Sequence, residues 1–170
     1  MSALEEFRKG KDDFFRTSTD SPLNPEQKSN FLGLKYYPEN LGLIFTVLIE
    51  KNIDAEEIVS IQTSAGDTEP YKRYGKIKLT VGDKEVELTV FKPTEDGELF
   101  LPFRDATSGP ETYGSGRYLE TEEVDGKLKV DFNYAYNPYC AYNERWRCPL
   151  TPAENRLNVR IEAGEKNFHN

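Results

Sequence analysis

Arg117 is the charged residue whose position in the sequence best suits a chemical role. It begins the segment RYLETEEVDGKLKVDFNY (117–134), which has the pattern of a β-hairpin. Side chains alternate along a strand, so Arg117 lies on the same inward face as Leu119. An inward guanidinium needs partners, because an unpaired buried charge costs several kcal/mol. Two interpretations stay open: Arg117 lies at a strand end and reaches solvent, or it anchors an anionic group.

Polar side chains before and after this hairpin could orient a ligand beside such an anchor. The hydroxyl, amide and carboxylate groups concerned belong to Tyr113, Asp131, Asn133, Asn155 and Glu165. Tyr113 lies in GPETYGSG (109–116), where backbone N–H groups near glycine could cradle an anion. This loop lacks the lysine and the helix start of a phosphate loop, so an ordinary turn is the alternative.

The sequence predicts no metal site. Asp131, Asn133 and Asn137 resemble an oxygen-rich calcium loop only superficially, because the glycine and the closing glutamate of that pattern are absent. Asn and Asp side chains before Pro138 more commonly shape a turn by bonding to the backbone. Zinc would need more ligands than the two cysteines, and the single histidine, His169, is next to the C-terminus.

Both cysteines occur in DFNYAYNPYCAYNERWRC (131–148), beside four Tyr, three Asn and the single Trp. Cys140 and Cys148 could form a disulfide if their Cα atoms approach to about 6 Å. The alternative is a pair of thiols packed on aromatic rings. The chain shows no export signal, so we expect reduced thiols.

The elements that must position these residues are mostly strands. Residues 3–16 place apolar side chains at helical spacing, and Asn24, Pro25 and Gln27 supply the cap of a second short helix. Alternating or β-branched segments predict strands over 43–50, 57–64, 76–81, 86–90, 98–103, 117–124, 127–134 and 156–164.

Two short turns are expected to set the pairing of these strands. Gly82-Asp83 and Asp125-Gly126 both suit two-residue hairpin turns. In the second hairpin, pairing Val124 with Lys127 places Leu119 opposite Phe132 and Arg117 opposite Tyr134.

The predicted fold is α+β and mainly β: an antiparallel, barrel-like sheet of about eight strands with N-terminal helices. A two-sheet sandwich is the alternative. We expect a single domain over 1–170, in which a helical segment (1–30) packs on a β-rich core (43–165).

Charge and hydropathy exclude several classes of partner. The net charge is −8 and no stripe of Lys and Arg occurs, which argues against nucleic-acid binding. No apolar run approaches the ~20 residues of a membrane span, and no secretory signal is visible, so we expect a cytoplasmic protein. The sequence specifies neither a cofactor nor an oligomeric state.

Several blocks of the sequence are similar to one protein family. FLGLKYYP, LFLPFRDATSGPETYGSGRYLE, DFNYAYNPYCAYNERWRCPLTPAENRL and IEAGEK together resemble the family called domain of unknown function 1684. The resemblance covers nearly the whole chain and implies a bacterial or archaeal protein, but it implies no activity.

Three functional hypotheses follow. The first is a domain that binds a small polar or anionic ligand at one end of the barrel, anchored by Arg117. The second is an enzyme that uses the carboxylates of Asp105 and Glu165, or Cys140, with Arg117 as an electrophilic stabiliser. The third is a structural or partner-binding module whose polar residues form a buried network.

Overall fold

A computed structural model describes residues 1–169, in which two α-helices precede nine β-strands. The helices are α1 (Ala3–Thr17) and α2 (Pro25–Ser29). The strands are β1 (Ile44–Leu48), β2 (Glu50–Lys51), β3 (Ile58–Gln62), β4 (Thr68–Val81), β5 (Lys84–Pro93), β6 (Leu99–Phe103), β7 (Arg117–Thr121), β8 (Glu123–Val124) and β9 (Lys127–Asp131). Short 3₁₀ turns cover Leu41–Leu43, Phe132–Tyr134, Tyr139–Ala141 and Ala153–Asn155.

Both helices begin at a capping box. The Ser2 hydroxyl accepts a hydrogen bond from the N–H of Glu5 at 3.1 Å, and the Glu5 carboxylate accepts one from the N–H of Ser2 at 2.7 Å. Asn24 and Gln27 make the same reciprocal pair at the start of α2, with Pro25 in the first turn. These caps bond N–H groups that otherwise lack a partner within the helix.

The strands form two antiparallel sheets, so the predicted barrel is wrong. The larger sheet has six strands in the order β2-β4-β5-β6-β7, with β3 also paired to β4. The smaller sheet has the order β1-β9-β8. Within residues 1–169 the ends of the two sheets do not join into a closed barrel, and the fold is mainly β with few helices.

The two sheets share one apolar core because their inward side chains interleave. Alternation along each strand supplies these residues, as expected for sheets with one buried face. The fully or nearly buried members include Ile77, Leu79, Leu88, Val90, Leu101, Phe103, Leu119, Leu128, Val130 and Phe132.

The first hairpin matches its prediction. Val81 pairs with Lys84 across the turn, and the buried pair Leu79 and Val86 follows. Gly82 has a φ of 64°, a conformation that glycine adopts without a steric cost.

Of the predicted second hairpin, the structure contains only the turn. Val124 pairs with Lys127 as predicted, but Glu122 lies outside every ladder and separates β7 from β8. As a result β7 joins the larger sheet, where Arg117 faces Phe103, while β9 pairs with β1 in the smaller sheet. The predicted pairs Leu119–Phe132 and Arg117–Tyr134 are therefore wrong, although both Arg117 and Leu119 point inward.

The predicted last strand, 156–164, is extended but forms no regular ladder. Val159, Ile161 and Ala163 are buried in alternation, as the sequence indicates. The backbone pairs with the residues just after β6, at a parallel bridge between Arg104 and Arg156 and through the N–H of Ala106, which donates to the carbonyl of Val159 at 2.8 Å. Farther along, the side chains of Arg117 and Asp105 bond to its backbone, and the N–H of Tyr37 donates to the carbonyl of Gly164 at 3.0 Å.

Candidate functional site

Arg117 is completely buried, and its donors reach the main chain of the 161–165 segment. Nη2 donates to the carbonyl of Ile161 at 2.9 Å, and Nη1 donates to the carbonyls of Ala163 and, at 3.2 Å, Glu165. The carbonyls of Ile161 and Ala163 are two residues apart in extended chain, and the bend at Gly164, whose φ is 79°, comes between them and the carbonyl of Glu165. The interpretation of Arg117 as a strand end that reaches solvent is wrong, because 0% of its surface is exposed.

Asp105 completes this cluster from the end of β6. One carboxylate oxygen lies 3.5 Å from Arg117 Nη2, and the other accepts from the N–H of Ile161 at 2.6 Å. Thr107 also donates its hydroxyl to Asp105 at 2.8 Å. We call Arg117, Asp105, Thr107 and the 161–165 backbone the Arg117 network. Burial lowers the pKa of Arg117, and the neighbouring Asp105 charge opposes that shift.

Asn155 and Asn133 lie in two other buried clusters. Asn155 bonds in both directions to the backbone of Thr89 and donates to the carbonyl of Pro102, each at 2.8 Å, which ties β5 to β6. Asn133 bonds in the same two-way manner to the backbone of Asn40 and donates to Asp131 at 2.9 Å. Each amide occupies the place of a missing strand partner.

Cys140 and Tyr113 belong to a fourth place in the fold. The Cys140 sulfur lies 3.1 Å from the hydroxyl of Ser64 and donates to the carbonyl of Trp146 at 2.9 Å. Tyr113 packs against a cluster that includes Ala141 and Tyr142, and burial raises its pKa. Cys140 and Cys148 are free thiols in the structure.

Glu165 connects the Arg117 network to α1. Its backbone carbonyl accepts from Arg117, while its side chain, in a residue 1% exposed, points the other way. One carboxylate oxygen accepts from the hydroxyl of Tyr142 at 2.7 Å and from the N–H of Asn137 at 3.1 Å. The other oxygen forms an ion pair with Lys11 of α1.

Above this ion pair an open groove runs between α1 and the residues that follow β9. We call it the α1 groove; its volume is about 590 Å³ and it is lined by Glu6, Phe7, Gly10, Lys11, Phe14, Phe15, Glu120, Tyr136 and Tyr139. Phe7 and Phe14 remain 43% and 39% exposed. The Lys11 ammonium lies 4.8 Å from the centre of the Tyr136 ring. Aromatic surface is therefore presented to solvent next to a cation that is already paired.

The charges at the groove are predominantly negative. Glu165 neutralises Lys11, whereas Glu6 and Glu120 add two carboxylates at the rim. The Tyr136 hydroxyl donates to the Glu120 carboxylate. Desolvation by the surrounding side chains raises the pKa of Glu120, although part of this residue still reaches solvent.

Residues 29–166 match a family model described as Protein of unknown function (DUF1684). The chain belongs to this family. It is also similar, at 32% identity and a TM-score of 0.75, to the solution NMR structure of an uncharacterized protein from Haloarcula marismortui. That similarity covers 98% of this chain and 94% of the other. No curated protein matches the sequence.

The Arg117 network and α1 lie differently with respect to the residues that match the DUF1684 model. The Arg117 network lies wholly inside the matched residues, whereas α1 and Lys11 precede residue 29. The likeness to the Haloarcula protein omits only a few residues of this chain, so it includes α1.

Sequence reasoning found the Arg117 network in part and missed the α1 groove of this DUF1684 protein. Of the eight predicted site residues, Arg117, Asp105 and Glu165 come together, while Asn155, the Asp131–Asn133 pair and the Cys140–Tyr113 pair lie in other clusters. Phe7, Lys11 and Phe14 lie on one face of α1 at intervals of four and three, and this spacing was a usable signal.

No helix within residues 1–169 is both long enough and apolar enough to cross a membrane.

Proposed function

We propose that this DUF1684 protein binds a small organic molecule in the α1 groove, and that the molecule has an apolar body and a positively charged group. The observation that carries the proposal is the combination of exposed aromatic rings with the rim carboxylates of Glu6 and Glu120. The sequence suggested a polar or anionic ligand at Arg117; the proposal keeps a small ligand and changes both its place and its charge.

Aromatic faces attract cations because the ring quadrupole is negative above the plane. Lys11 illustrates this attraction, since its ammonium lies over Tyr136 at 4.8 Å and over Phe15 at 5.6 Å. Lys11 is paired with Glu165, so it does not fully neutralise the rim carboxylates of Glu6 and Glu120. A ligand ammonium would supply that charge while its apolar part covers Phe7 and Phe14.

The contacts of Arg117 support a structural role for the remaining predicted residues. Its Nη donors go to three carbonyls and to Asp105, all within the protein. Asn133 and Asn155 are bonded to backbone groups in the same way. We therefore assign Arg117, Asp105, Asn133 and Asn155 to architecture rather than to ligand binding.

The contacts of Cys140 do not favour an enzyme. Its sulfur donates to the carbonyl of Trp146 and lies 3.1 Å from the hydroxyl of Ser64, and neither group is a base that could activate a catalytic nucleophile. A cysteine nucleophile instead needs an adjacent base or a lowered pKa.

Titration with a matched set of probes tests the proposal. Benzyltrimethylammonium, its uncharged carbon analogue and benzoate share one ring and differ in charge, and amide shifts in a ¹H–¹⁵N correlation spectrum locate binding. We expect the cation to bind most tightly and to shift amides of α1 and residues 136–139, leaving residues 105–117 unchanged. Tighter binding of benzoate, or shifts centred on 105–117, would contradict the proposal.

Replacement of one rim carboxylate sharpens this test. Glu120→Gln keeps the shape of the side chain and removes its charge, so we expect the affinity for benzyltrimethylammonium to fall by about tenfold. Glu122→Gln is the matched control, because Glu122 is exposed and does not line the groove. Equal losses in the two variants would show that only net charge matters.

A further inference from the structure

Cys140 and Cys148 meet across a loop of seven intervening residues. Ser64 touches both residues, and the Cys140 thiol contributes to raising the pKa of the Cys148 thiol, which places the two side chains close together. Both cysteines are free. The two cysteines are therefore already close to each other in the fold.

Ser64 holds both ends of this loop in place. Its hydroxyl lies 3.1 Å from the Cys140 sulfur and accepts from the N–H of Cys148 at 3.0 Å. The N–H of Ser64 donates to the carbonyl of Cys148 at 2.9 Å. Ser64, two residues beyond the end of β3, thus contacts both cysteines and relates their positions.

The two thiols differ in access to solvent. Cys148 is 9% exposed, whereas Cys140 is partly open to solvent. Burial and the contact with Cys140 raise the pKa of Cys148 to about 12. An external reagent would therefore meet Cys140 first, with Cys148 protonated behind it.

We propose that Cys140 and Cys148 are a dithiol pair that closes to an intramolecular disulfide by exchange with a small organic disulfide. The structure supports an order of reaction in which Cys140, the more accessible thiol, attacks the organic disulfide and Cys148 resolves the mixed disulfide.

The exchange balances in two steps. First, Cys140 loses its proton and attacks one sulfur of the organic disulfide, whose S–S bond breaks and releases one thiolate that takes up a proton. Second, Cys148 loses its proton and attacks the Cys140 sulfur, and the other half of the reagent leaves and is protonated. Two protein thiols are oxidised, and one organic disulfide is reduced to two thiols.

Closure would stiffen a loop that holds Trp146. The indole N–H of Trp146 donates to the carbonyl of Pro22 at 3.4 Å, and Asn143 donates to the same carbonyl at 2.6 Å. The redox state of the pair therefore bears on how firmly the loop grips the segment before α2. The intrinsic fluorescence of Trp146, the single Trp in the chain, reports on this contact.

The test uses the full chain in graded mixtures of oxidised and reduced glutathione, followed by acid quench, alkylation and intact mass measurement. We expect both alkylation sites to disappear together, with a mass lower by about 2 Da for the two hydrogens lost and no retained glutathione. Glutathione that remains attached to the wild-type chain, disulfide-linked dimers, or two alkylated thiols in the most oxidising mixture would each overturn the proposal.

Single variants test the order of the two steps. Cys148→Ser removes the resolving thiol, so one glutathione should remain on Cys140. Cys140→Ser leaves only the buried thiol, which should take up glutathione at least tenfold more slowly. Equal rates in the two variants would overturn the assigned order, and the wild-type measurement decides the pairing even if either variant folds poorly.

Discussion

The Arg117 network and the α1 groove place charged groups in opposite surroundings. In the network, Arg117 and Asp105 are buried and bond to each other and to the backbone. In the groove, Lys11 is paired beneath the surface, and Glu120 lies at a rim open to solvent and to aromatic rings. The two places are joined through Glu165, whose backbone belongs to one and whose side chain belongs to the other.

This difference shows that polar residues concentrated in one region can serve to hold irregular backbone in place. Among the residues that the structure describes, the 161–165 segment belongs to no regular ladder and pairs only at an isolated bridge between Glu165 and Tyr36, and a buried backbone without partners is costly. One arginine and one aspartate replace the missing ladder. The groove instead keeps rings and carboxylates accessible, which is what binding requires.

Arg117→Met gives the largest expected effect. The change leaves the Asp105 carboxylate buried without its cation and frees three carbonyls, so the free energy of unfolding should fall by about 3–5 kcal/mol in urea denaturation. Arg147→Met is the control, because Arg147 forms an exposed ion pair with Asp67 and should shift the midpoint little. Unchanged stability would show that Arg117 is not architectural and would restore the ligand-anchor hypothesis.

Two glycines test how tightly each place is packed. Gly164 has a φ of 79°, and an added Cβ would lie 2.7 Å from the carbonyl oxygen of Ala135. Gly164→Ala should therefore destabilise the fold by about 3 kcal/mol. Gly10→Ala, in α1 with nothing within 4 Å of the new methyl group, should stabilise it by about 0.5–1 kcal/mol. Thermal unfolding of both variants makes the comparison, and effects of the same sign would contradict it.

Lys11→Met examines the junction of the two places. Glu165 would lose its cation but keep its bonds from Tyr142 and Asn137, so we expect a loss of about 2 kcal/mol, less than for Arg117→Met. Lys9→Met, on an exposed position of the same helix, is the control. A loss in Lys11→Met as large as that of Arg117→Met would mean that the groove is part of the network.

The pH dependence of ligand binding should distinguish the α1 groove from the Arg117 network, and it is the smallest of the expected effects. Because the pKa of Glu120 is raised above 4.5, its carboxylate becomes neutral at a higher pH than an ordinary glutamate. The affinity for benzyltrimethylammonium should then decline as the pH falls through this raised pKa. The effect on stability has the opposite sign: proton uptake by the fold stabilises it below the unfolded pKa, and this contribution is lost as the pH rises through the folded pKa.

Calorimetric titration of wild type and Glu120→Gln across acidic pH isolates this contribution. The variant should lack the decline, and an identical pH profile in both proteins would assign it to another group.

Local patterns predicted the parts of the fold that depend on neighbouring residues. Gly82-Asp83 between alternating strands predicted the first hairpin, and alternation placed Arg117 inward. The strand that pairs with β7 could not be predicted from local patterns, because β7 and β8 belong to different sheets and only Glu122 lies between them.

The site was harder to predict because its contacts are distant in sequence. The Lys11–Glu165 pair joins residues 154 positions apart, and no periodicity registers such a pair. The sequence did mark Glu165 as a candidate site residue. It could not distinguish a carboxylate that serves a ligand from one that holds a helix, because both require the same residue type.

The great distance in sequence between α1 and its ion-pair partner also bears on synthesis of the chain. A 15-residue helix is marginal on its own in water, and the pairing partner of Lys11 lies 154 residues downstream. At about 5–20 residues per second, a ribosome needs roughly 8–30 s to make that intervening stretch. During this interval Phe7, Phe14 and Phe15 of the nascent chain lack their later partners and offer an apolar face to chaperones. The ion pair between Lys11 and Glu165 can therefore form only after the C-terminal residues have been made.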